Sequence, residues 1–122
     1  MTDVADTNLV LACIDEGDAL HARARAHLSR VGRLTVTVPV WVEVLLVAKP
    51  RSVSFVEIAG KCEGSFEVED LATFYAAAQA LDAKKVATVF DAVHLATALV
   101  RHGSLHTADA ALQRTGFPTT AF

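Results

Sequence analysis

Three carboxylates in this chain stand where an apolar side chain is expected. Asp6 follows the apolar pair Val4-Ala5, Glu43 interrupts the run from Val38 to Val47, and Asp91 interrupts the run from Val86 to Val100. An unpaired carboxylate in an apolar interior costs several kcal/mol or becomes neutral. The helix or strand period of each segment sets apolar neighbours on both sides of its acid. A fourth acid, Asp109, closes Leu105-His-Thr-Ala-Asp109 and belongs to the same sheet edge as Asp6. Each acid could pair privately with Arg or Lys, or point to water from a helix end. The four together suggest convergence, because two follow parallel strands and two lie in apolar helices packed on that sheet. Carboxylates ~5 Å apart repel by roughly 3 kcal/mol per pair at an effective dielectric of about 20, so only a cation makes such a cluster tolerable. Oxygen-only ligands with open positions suit Mg²⁺ or Mn²⁺ rather than zinc. Asp15, Glu16 and Asp18 at a helix junction, and Glu67, Glu69 and Asp70 before a helix, are expected to be solvated or capping.

The elements that must carry these acids alternate. Val4-Ala5-Asp6 reads as a short buried strand, and Thr7 or Asn8 as the cap of a helix over 9–14. A second helix fits 18–31 and ends at Gly32. Thr35-Val-Thr-Val38, with Leu34, alternates and is β-branched, which predicts a strand. Pro39 suits the first turn of a helix over 40–48. Lys49-Pro50-Arg51 breaks it before a weaker helix over 52–62. A strand at 66–68, helices over 69–83 and 88–102, a strand at 104–106, a helical turn over 108–114 and a strand near 117–120 complete the chain. Short strands alternating with helices predict an α/β domain with a mainly parallel central sheet, whose functional crevice lies at the carboxyl ends of the strands.

The 122 residues predict one domain over 1–122, and 52% apolar with 20% charged residues excludes a disordered chain. Cys13 and Cys62 stand in no metal-binding spacing; a free pair suits a reducing cytoplasm. The mean hydropathy of +0.37 is high. The longest apolar stretch, 34–48, holds Pro39 and Glu43 and falls short of the ~20 residues a membrane span needs. The acidic start lacks the basic region of a secretory signal. The apolar surplus therefore predicts a covered surface: a homodimer or a protein partner. The net charge of −3 is unevenly spread, with residues 19–55 holding six Arg and Lys against one acid. That basic middle, chiefly Arg23, Arg25, Arg30 and Arg33 with His21 and His27, suits either a solvated helix face or a phosphate-bearing substrate. No aromatic platform accompanies it, so base stacking is not indicated.

At this point the sequence resembles the PIN-domain nucleases, and within them the small VapC-type toxins of toxin–antitoxin pairs. Ala5-Asp6-Thr7-Asn8 is similar to the family's opening motif. Glu43 stands in the helix that carries the second acid, Phe90-Asp91-Ala-Val-His94-Leu-Ala-Thr-Ala98 is similar to the most specific stretch, and Thr107-Ala108-Asp109 resembles the closing T-x-D motif. The chain departs from the family pattern after Asp109, where Ala110-Ala111-Leu112 replaces a polar or basic residue and an aromatic. The resemblance implies a three-layer α/β/α domain and a divalent-metal-dependent ribonuclease. Asp6, Glu43, Asp91 and Asp109 would hold Mg²⁺ or Mn²⁺, with Thr107 and Asn8 positioning the acids and water. It also implies in-line hydrolysis of RNA and an antitoxin that covers the site. His94, three residues from Asp91 on one helix, could join a metal site, orient a neighbour or pack.

A receiver domain needs an acid after a central strand and a late Lys, and no Lys follows Lys85; an Asp-x-Asp phosphotransferase fails because Asn8 replaces the second Asp. A non-catalytic assembly module on the same fold, or a solitary RNA-processing nuclease, remains as the alternative. The presence of all four acids argues against the first.

Overall fold

The computed structural model describes residues 3–122. Helix α1 (Thr7–Ile14) follows a single parallel bridge from Val4 to Thr35, and α2 (His21–Val31) precedes strand β1 (Thr35–Val36). Next come α3 (Val38–Ala48), α4 (Phe55–Ser65), β2 (Glu67–Val68), α5 (Leu71–Asp82) and α6 (Val89–Val100). The chain finishes with β3 (Leu105–Thr107), α7 (Ala110–Gln113) and β4 (Thr119–Ala121). Every expected element after residue 6 is present in order, and the domain is mixed α/β with parallel pairing.

The sheet is more fragmentary than one continuous layer. β1 pairs in parallel with β2, setting Thr35 against Glu67, while β3 pairs in parallel with β4, setting Leu105 against Thr119. Among the described residues these are two separate two-stranded pieces. The strand expected at 4–6 shrinks to that bridge, held by Ala5 N–H donating to the Thr35 carbonyl and Thr35 N–H donating to the Asp3 carbonyl. Strands of two or three residues offer few ladder hydrogen bonds, so the helices carry the packing.

Helix ends follow local chemistry. Pro39 sits in the first turn of α3, where its missing N–H costs nothing. α2 begins three residues later than expected, because Asp18 accepts the Leu20 N–H and closes a turn instead. Gly32 closes α2 at φ 82°, ψ −155°, a conformation an L side chain rarely adopts. The core is built around Trp41 and Phe74, whose rings stack 4.8 Å apart at 8°, together with Phe66, Leu45 and Leu95. The Trp41 indole N–H finds the Glu69 carbonyl at 2.9 Å, so its one polar atom is satisfied. Ala77, Ala78 and Ala80 of α5 and Ala92 and Ala96 of α6 are buried, and these two helices pack on each other. Small side chains let the two axes come close.

Candidate active site

Asp6 is the N-cap of α1: its Oδ1 accepts the Leu9 N–H at 2.8 Å. The cap expected at Thr7 or Asn8 therefore belongs to the acid itself. An exposed carboxylate at a helix N-terminus satisfies an otherwise orphaned N–H and meets the positive end of the dipole. Asn8 is exposed one residue into the helix.

Glu43 lies in the middle of α3. The helical turn places Trp41, Val44, Leu45 and Ala48 inward, and leaves Glu43 outside beside Leu46 and Val47. The apolar run on both sides of this acid thus does not bury it, contrary to expectation, because the period of 3.6 turns it onto the open stripe. The same correction applies to Asp6, which is exposed, and in part to Asp91, which is half-buried; Asp109 is exposed at its strand end. Asp91 occupies the first turn of α6, where its N–H donates to the Oγ1 of the N-cap Thr88. His94 is exposed one turn further on, at a shallow cleft with Thr97, Arg101 and Ser104.

Asp109 caps α7, its Oδ1 accepting the Ala111 N–H at 2.8 Å. Thr107 Oγ1 accepts the Asp109 N–H at 3.0 Å, and Gln113 Nε2 donates to the Thr107 carbonyl. Thr107 therefore fixes how the chain turns from β3 into Asp109.

The fold strings the four acids along elements that touch in sequence. α1 packs on α3, α3 on α6, α6 on β3, and β3 on α7. Among the described residues the only ion pair joins Arg51 to Asp15 at 3.6 Å, so none of Asp6, Glu43, Asp91 and Asp109 is privately paired with a base. Two of them cap helices, and all four keep a carboxylate oxygen without a hydrogen-bond partner among the described residues. Among the described residues no three His, Cys, Asp or Glu side chains form a ready-made metal cage. The donor chemistry nevertheless fits a hard cation: Mg²⁺ retains several waters and is usually held by one or two carboxylates plus substrate phosphate, without an all-protein cage. The acids expected to be bland are so: Asp15 accepts the Gly17 N–H, and Glu69 accepts the N–H of Val38.

A residue that sequence reasoning missed is Asp82, at the end of α5. Its carboxylate accepts the N–H groups of Phe55 and Val56 and the Ser54 hydroxyl, capping α4 from another helix. Its sequence gives no such signal, since the partners lie 26–28 positions away.

Short parallel strand pairs between helices define a mixed α/β domain, with Asp6 and Asp109 at helix N-termini and Glu43 and Asp91 within helices. The PIN domain family model matches residues 4–118, and the chain belongs to that family. PIN domains are generally nucleases and generally use divalent metal ions, so nucleic acid is the substrate class. No curated protein and no solved structure matches the chain significantly. No helix among the described residues is long and apolar enough to cross a membrane.

Proposed function

We propose that the chain acts as one PIN-like domain over residues 1–122: a Mg²⁺- or Mn²⁺-dependent endoribonuclease, and the toxin of a VapBC-type toxin–antitoxin pair. The observation that carries the reading is the placement of Asp6, Glu43 and Asp91 on three helices packed in succession, without a basic partner among the described residues, in a chain of this family. Asp6, Glu43, Asp91 and Asp109 are the residues that would hold the ion. When bound, the ion acidifies water and offsets charge on the transferring phosphoryl group. Thr107 holds Asp109 in place, and Asn8, exposed beside Asp6, orients the water or the scissile phosphate. In-line hydrolysis leaving a 5′-phosphate, with no covalent enzyme intermediate, is in keeping with this acid set.

The partner reading rests on apolar surface. Leu11, Ile14, Val44, Val47, Val53 and Ile58 line a groove of about 140 Å³ between α1, α3 and α4. An antitoxin lying there would be consistent with the apolar surplus, and exposed Leu46 and Phe90 offer a homodimer face. Cys13 and Cys62 are free thiols, as a cytoplasmic protein would keep them.

Purified protein freed of any partner should cleave single-stranded RNA with Mg²⁺ or Mn²⁺ and stop with EDTA. Cleavage that survives EDTA overturns the metal mechanism. Light scattering reads the dimer, and a short reading frame beside this one, encoding a protein that co-purifies, reads the antitoxin.

A further inference from the structure

The basic segment of α2 divides into two sets with different work. Arg25 Nη1 donates to Ser65 Oγ at 2.7 Å, and Arg33 donates to the carbonyls of Glu63 and Phe66. Arg25 ties α2, and Arg33 the segment just after it, to the end of α4. Arg23, His27 and Arg30 turn the other way, into a cleft of about 380 Å³ between α1 and α2, which they line with Asn8, Leu9 and Leu20. No acid lines this cleft, and neither Arg23 nor Arg30 has an ion pair among the described residues. Arg30 Nη2 instead lies 3.5 Å from His27 Nδ1 within the same cleft lining.

We propose that this cleft between α1 and α2 binds the phosphodiester backbone of single-stranded RNA and leads it to Asp6. The spacing 23, 27, 30 places three basic side chains on one helix face. They extend over roughly 10 Å of axis, about three stacked nucleotide steps at ~3.4 Å each. Asn8, at the cleft's edge, is two residues from Asp6, so a strand lying on Arg23 and Arg30 arrives beside the first acid. Leu9 and half-exposed Leu20 give an apolar floor for sugars, and no aromatic ring is present to stack a base. Contact through phosphates alone makes the track tolerant of sequence, leaving any cleavage preference to other parts of the surface.

This inference rests on the ribonuclease reading, and the experiment separates the two. Binding of a fluorescent 15-nucleotide single-stranded RNA is measured by anisotropy in EDTA over a range of salt, beside Mg²⁺-dependent cleavage. Arg23→Gln with Arg30→Gln should weaken binding on the order of 10–30-fold near 0.1 M salt. It should also flatten the log–log salt slope by about 1.4, twice the ~0.7 expected per lost contact to a single strand. The pair Arg23→Lys with Arg30→Lys should keep the slope, which excludes a folding artefact. Arg25→Gln with Arg33→Gln should lower the melting temperature and leave the slope unchanged. Wild-type cleavage with a slope unchanged in the Arg23/Arg30 pair overturns the track and leaves the nuclease reading standing. A polyglutamate peptide that loses its binding in that pair, while RNA binding stays intact, assigns the cleft to an acidic protein segment and likewise overturns it. Neither binding nor cleavage of RNA by the wild type removes both.

Discussion

Asp6 carries two loads that can be separated by substitution. As the cap of α1 it needs only an acceptor for the Leu9 N–H, which an amide oxygen supplies as well as a carboxylate. As a metal-holding group it needs the charge. Asp6→Asn should therefore melt within about 0.5 kcal/mol of the wild type in EDTA, whereas Asp6→Ala should lose about 1 kcal/mol. Both should lose metal-dependent cleavage. Asp91→Asn, at a half-buried position without an ion pair, should also leave the fold intact and reduce cleavage by about 10²-fold or more. Thermal melts and a gel assay on the same samples check this, and retained cleavage in Asp6→Asn would take that acid out of the site. Cys62 makes a different prediction. Burial pushes its thiol from 9.0 up to about 12, so the folded chain holds this proton where the unfolded chain has released it. Its contribution to stability is complete below pH 9 and is lost as pH rises from there towards 12. Tyr75 acts in the same direction, because its hydroxyl donates to Glu63 and holds its proton more tightly. Denaturant melts from pH 8 to 11 should show falling stability, with a shallower fall in Cys62→Ala.

The elements are held by side chains that reach across the sequence. Asp82 binds the first turn of α4 through two N–H groups at 2.7 and 3.0 Å, so Asp82→Ala should cost about 1–2 kcal/mol, readable as a lower urea midpoint. Ser54, the local N-cap of α4, accepts the Glu57 N–H at 3.3 Å and supplies only part of that function. Just past the Arg101 C-cap of α6, His102 stands at φ 57°, while Gly103 N–H donates to the Ala98 carbonyl. The left-handed position thus falls on His102, one residue before the glycine that could hold it without strain. His102→Gly relieves that strain and should stabilise the protein by about 0.5–1 kcal/mol, checked by the same melts.

At the scale of the molecule, the α1–α2 cleft opens beside Asp6 through Asn8, while the apolar groove lies between α1, α3 and α4. Mg²⁺ at about ten times its dissociation constant should stabilise the wild type by about 1.4 kcal/mol, and Asp91→Asn by less. A melt that Mg²⁺ leaves unmoved in both proteins argues against a resident site. Element order, parallel pairing and family were legible in the sequence because they depend on local period, on Pro39 and Gly32 as punctuation, and on motifs a few residues long. Asp6, Glu43, Asp91 and Asp109 could be singled out for the same reason: each stands in a short pattern. Their exposure could not, since an acid inside an apolar run is buried or free according to where one helical turn points it. Nor could the division of the arginines: Arg23 and Arg25 are two positions apart on one helix, and only the packing of α2 on α1 sends one to the α1–α2 cleft and the other to Ser65 at the end of α4. The cap that Asp82 places on α4 lies furthest from local reading, because the contact exists only after α5 has folded back along α4 and brought a distant carboxylate to unsatisfied N–H groups.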